Sequence, residues 1–109
     1  MRAVVFTHHA RSDLRRIMRF IARRSRSKAL AETFIAAALA RCHRMAVCAT
    51  EVGRPRPDIG PAYRSLPFGR YLIIHRYEPD RLVIVRILSA YLNADPNAIR
   101  AADDDPDDA

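Results

Sequence analysis

Tryptophan is absent, glycine occurs three times, cysteine twice, and lysine only as Lys28 in a chain of 109 residues. With glycine this scarce and half the residues apolar, the composition is that of a folded domain and excludes fibrous and disordered classes. No apolar run approaches the roughly 18 residues of a membrane span. Only Ala3 to Phe6 follow Arg2 before the sequence turns polar, short of the apolar stretch of about 7–15 residues in a secretory signal. A cytoplasmic location with no membrane association is therefore expected. Cys42 and Cys48 fall in a stretch of helical period, where six residues rise about 9 Å, beyond the Cα separation of about 7 Å that a disulfide spans. Cys42, His43 and Cys48 fit no standard zinc spacing. Neither a disulfide, a metal nor a cofactor is expected, and both thiols are assigned to the core.

Positive charge is abundant and unevenly placed. Residues 1–28 carry nine basic groups against Asp13 alone, residues 29–100 carry ten against six, and residues 101–109 carry five aspartates and no base. The body without its acidic end is thus near +12, a field that draws in acidic partners and weakens with salt. A chain of this length has room for one domain that buries roughly two-thirds of its unfolded surface. The domain is assigned to residues 1–94. Residues 95–109 contain Asp95-Pro96 and the aspartate run and are read as a frayed acidic tail.

The periodicity changes twice. Val4 to Phe6 form a short strand-like run, and Thr7 is a plausible N-cap. Ala10, Leu14, Ile17, Met18 and Ile21 then recur at helical spacing, with Arg11, Arg15, Arg19 and Arg23 along another side. After a polar break, Ser25 or Ser27 can cap a second helix through Ala31, Phe34, Ala38, Cys42, Met45 and Ala49, with Gly53 as its stop. Three prolines and two glycines between Gly53 and Pro61 exclude helix and central strand. Beyond them the period becomes two, in Tyr63 to Leu66, Arg70 to Tyr77 and Leu82 to Ala90, an antiparallel meander whose last member is apolar enough to be central. The fold class predicted is α+β, in the order β-α-α-β-β-β, with a helical hairpin on one face of a small, mostly antiparallel sheet. The other face is expected to be open or covered by a partner.

Ser12-Asp13-Leu14 with Phe20-Ile21-Ala22, the loop Gly53-Arg54-Pro55-Arg56-Pro57, the run Tyr63-Arg64-Ser65-Leu66-Pro67-Phe68-Gly69-Arg70-Tyr71, and Ile84-Val85-Arg86-Ile87-Leu88 together resemble the RelE/ParE superfamily of small toxins, on the ParE side. The resemblance covers roughly residues 3 to 92. It implies the toxin of a type II toxin–antitoxin system, related to plasmid stabilization, that inhibits DNA gyrase by binding. It further implies a ParD-like antitoxin partner with a ribbon-helix-helix start and an acidic C-terminal segment. The alternatives are a RelE-like, ribosome-dependent mRNA endoribonuclease, and an inactive module that only engages its antitoxin. Direct contact with nucleic acid is left open. Where the ParE pattern reads VLHGARD, this chain has Leu88-Ser89-Ala90-Tyr91-Leu92-Asn93, so Ser89 replaces the family histidine.

Cleavage of RNA needs a proton acceptor, a proton donor and cations at the phosphate. A nuclease would draw these from His75, Tyr91, Arg64 and Arg70. With no lysine on the sheet, binding without turnover is the preferred reading. Its target- or partner-binding candidates are Arg54, Arg56, Arg64, Arg70, Arg76 and Arg86. Arg11, Arg15, Arg19 and Arg23 are the candidates for antitoxin contact.

Overall fold

The computed structural model describes residues 2–104. In chain order the elements are β1 (Ala3–Phe6), α1 (His8–Ser25), α2 (Lys28–Val47), β2 (Arg54–Pro55), β3 (Tyr63–Phe68), β4 (Tyr71–Tyr77), β5 (Arg81–Ser89) and α3 (Pro96–Asp103). The strands form one sheet in the order β1-β5-β4-β3-β2, with β1 parallel to β5 and the remaining pairs antiparallel. The α+β architecture expected from the periodicity is present, with β5 internal and two added elements, the short edge strand β2 and the helix α3.

Local chemistry explains where the helices begin. The Thr7 hydroxyl accepts from the Ala10 N–H at 3.0 Å and donates to the Val85 carbonyl at 2.7 Å, so one side chain caps α1 and ties its start to β5. Ser27 caps α2 by accepting from the Leu30 N–H at 3.1 Å, one residue after Arg26 ends α1 in the left-handed region. Helix α2 stops at Val47, short of the expected Gly53, and its cap Cys48 is exposed. Only Cys42 is the buried thiol that was expected, and burial pushes its pKa up to about 11.

The hairpin buries Ala10, Ile17, Cys42 and Met45 against Ile73, Leu82, Ile84 and Ile87 of the sheet. Side chains along β5 alternate between faces, with the alternation shifted by one residue at a bulge near Val85, and Val83, Val85 and Leu88 face the other side. There they meet Tyr63, Ile74, Ile59 from the loop after β2, and Ile99 from α3. The expectation of an open second face is therefore corrected: the chain itself covers much of it. The frayed tail assigned from residue 95 is also corrected for residues 96–103, which are helical with Ile99 buried. Asp95 caps α3 through the Asn97 N–H at 3.0 Å, and Pro96 occupies its first turn, where a missing N–H costs nothing. Residues 105–109, the rest of that tail, lie outside the described residues.

Candidate functional site

The pairing of β4 with β5 steps at Ile74/His75: Ile74 lies opposite Arg86 and His75 opposite Ile84, which leaves Val85 as an extra residue. Next to this bulge, Arg86 and the Ile87 N–H converge on the wholly buried carboxylate of Asp13 in α1. Arg86 Nε lies 2.8 Å from Asp13 Oδ2 and Nη2 lies 3.0 Å from Oδ1, while the Ile87 N–H reaches Oδ2 at 3.0 Å. Hydrogen bonding to Asp13 holds the Arg86 pKa above its ordinary value. Arg86 is thus a strut between sheet and helix, not part of an open binding face.

Arg76 is similarly committed. Its Nε bonds Asp103 Oδ2 of α3 at 2.8 Å, it also pairs with Glu78, and these carboxylates raise its pKa. Arg56 makes a two-point pair with Asp58, at 3.0 and 2.8 Å. Arg64 donates to the Gly53 carbonyl at 2.8 Å and lies 3.7 Å from Glu51. Of the expected binding arginines on the sheet and its loop, Arg54 and Arg70 are exposed, and their guanidinium groups have no hydrogen bond or ion pair among the described residues.

His75 is fully buried on the side of the sheet that carries the helices. Its Nδ1 and Nε2 lie 2.9 Å from the carbonyls of Ile73 and Val52, and its ring packs edge-on against Tyr77. Burial pulls its pKa below the ordinary value, while the carbonyl contacts oppose that shift. An imidazole enclosed in this way cannot exchange a proton with a bound phosphate, so the candidate base is corrected to a core residue. Gly53 makes the enclosure possible: its φ is +105°, and a Cβ there would lie 2.8 Å from the imidazole.

Arg70 and Tyr91 do come together. Arg70 sits in the two-residue turn between β3 and β4, where Gly69 takes a φ of +57°. The Ala90 N–H bonds the Arg70 carbonyl at 2.8 Å and so fixes the segment after β5 beside that turn. The result is a groove of about 390 Å3 between α1 and the end of β5, floored by Ile17, Tyr71, Ile87 and Leu88. Phe20, Tyr91 and Leu92 rim it, 50%, 82% and 59% exposed, with Ser89 between them and Arg16 and Arg70 at its sides. Arg15, Arg19 and Arg23 are exposed along α1, while Arg11 donates to the Phe6 carbonyl at 2.6 Å. Periodicity in the sequence placed Ile17 in the core but gave no sign that Phe20 and Leu92 share a surface, because that depends on how α1 crosses β5.

The groove presents apolar surface flanked by guanidinium groups, the chemistry for an amphipathic acidic segment. Among the described residues no cluster of His, Cys, Asp or Glu could hold a metal ion, and no helix is long and apolar enough to cross a membrane. Comparison with known proteins gives a match over residues 4–91 to the family of ParE toxins of type II toxin–antitoxin systems, parDE. A solved structure described as a chromosomal ParDE toxin–antitoxin system from P. aeruginosa superposes with a TM-score of 0.68 at 19% identity, covering 82% of this chain and 96% of that one. No curated protein sequence matches.

Proposed function

Because the chain belongs to the ParE toxin family of type II toxin–antitoxin systems, we propose that it halts growth by binding DNA gyrase without catalytic turnover, and that a ParD-like antitoxin neutralises it in the cytoplasm. The observation that carries this reading is the groove between α1 and β5, which is equipped to bind but poorly equipped for proton transfer. Its charged groups are arginines, which stay protonated and are poor proton carriers. The histidine of the sheet is enclosed elsewhere. An antitoxin segment with apolar residues on one face and carboxylates at its margins would cover Phe20, Tyr91 and Leu92 and reach Arg16 and Arg70. The exposed arginines of α1 extend the attraction beyond the contact itself.

A nuclease reading retains one specific support, the shared position of Arg70 and Tyr91 in this groove, but lacks His75 and Arg64, whose neighbours occupy them. Induction of the chain in growing cells separates the two readings. Gyrase inhibition gives DNA-damage signalling with intact transcripts, and co-expression of the antitoxin reverses it. Cleaved transcripts with normal supercoiling would establish the nuclease, and neither effect would leave an antitoxin-binding module.

A further inference from the structure

Helix α3 lies beyond residue 91, where the match to the toxin family ends. It is held on the second face of the sheet by one buried apolar side chain, Ile99, and by a polar clasp one helical turn later. Asp103, its side chain 3% exposed, accepts from Arg76 Nε at 2.8 Å and from the Tyr63 hydroxyl at 2.5 Å. Arg100 adds a bond to the Ile59 carbonyl at 2.8 Å. The seat is larger than its occupant: beside Ile99 a cleft of about 190 Å3 extends along Leu72, Ile74 and Leu88 toward Arg56.

We propose that this face is a second binding site, adjoining the groove beside α1 at Leu88, Ser89 and Leu92, for an acidic helical peptide segment, and that α3 fills it in cis. A fitting segment carries an aliphatic residue and a carboxylate four positions apart, as Ile99 and Asp103 are, which places both on one helical face. The aliphatic group enters between Tyr63, Ile74 and Val83, and the carboxylate meets the paired donors Arg76 and Tyr63. Bulkier apolar residues in the incoming segment also fill the adjoining cleft. Because α3 is tethered, its high effective concentration keeps the site closed to weak competitors, and only a better-fitting segment displaces it. This site does not depend on gyrase being the toxin's target.

The test uses the full chain and a fluorescein-labelled synthetic peptide of its own residues 94–109, read by fluorescence anisotropy. In the Ile99→Ser/Asp103→Asn variant the cis helix is unlatched, and the peptide is expected to bind at least about tenfold more tightly than to the unaltered chain. Adding Arg76→Ala to that variant, or using a peptide with Asp103→Asn, is expected to abolish the gain. Equal binding to both chains, or binding to neither, with both folded by circular dichroism, would overturn the proposal. Should the double variant fail to fold, Asp103→Asn alone takes its place: it is expected to bind the peptide several-fold more tightly than the unaltered chain does, and equal binding overturns the proposal.

Discussion

Asp13 and Arg86, 73 residues apart, meet through two hydrogen bonds of 2.8 and 3.0 Å in the interface between α1 and β5. The same carboxylate takes the Ile87 N–H and the Arg16 side chain, so one buried acid holds three partners through four hydrogen bonds along one wall of the groove. Its loss leaves a part-buried guanidinium and a backbone donor without an acceptor. Asp13→Ala is expected to destabilise the fold by about 3 kcal/mol, measured by urea denaturation. The double variant Asp13→Leu/Arg86→Met is expected to recover part of that loss, because an apolar pair leaves no buried charge unpaired while the Ile87 N–H still lacks its acceptor.

Gly53 admits the imidazole of His75 only because it has no side chain. Gly53→Ala combines a positive φ with a contact of 2.8 Å to the ring, and it is expected to lower stability by about 2 kcal/mol or more. A thermal melt checks this. Gly69→Ala has its nearest side chain, Phe34, at 3.7 Å and should suffer only the backbone penalty, the smaller of the two.

Burial holds the His75 pKa below its ordinary value of 6.5. As the pH falls through 6.5, the unfolded chain takes up a proton that the folded chain refuses, so stability is present above that pH and declines toward the lower folded pKa. Denaturation at stepped pH between about 7.5 and 5 is expected to show this fall. In His75→Phe, this contribution to the slope should disappear, whatever the variant's absolute stability.

At the groove, Arg70→Glu changes charge at an exposed turn without disturbing a packed contact. Its stability is expected to stay within about 0.5 kcal/mol of the original. Its affinity for the antitoxin should fall at least about tenfold, chiefly at low salt. Phe20→Ala should weaken binding with less salt dependence, because it removes apolar contact area without changing charge.

The parts of the fold legible in sequence are those with strong period. Ala10, Leu14, Ile17 and Ile21 announce α1, and the alternation around Ile73 and His75 announces β4. Period two assigns His75 to the same face as Ile73 without saying which face lies under the helices, so the histidine's burial was hidden. Arg76 and Arg86 read as surface charge because Asp103 and Asp13, the acids that neutralise them, are remote in sequence. Asp95-Pro96 did carry a signal: an N-cap residue followed by proline starts a helix as readily as it ends a strand. With Ile99 as its single buried residue, α3 offered no stripe to support that choice. The groove was only half visible, since Arg70 was legible as an arginine of the sheet region and Tyr91 through the resemblance, while Phe20 and Leu92 join them through packing.

The most direct test titrates purified gyrase with the purified chain and follows supercoiling of relaxed plasmid, alongside messenger RNA on ribosomes. Supercoiling should stop at near-stoichiometric toxin and resume when antitoxin is added, with the RNA intact. Undiminished supercoiling in excess toxin, together with cut RNA, would contradict an inhibitor that works by binding gyrase.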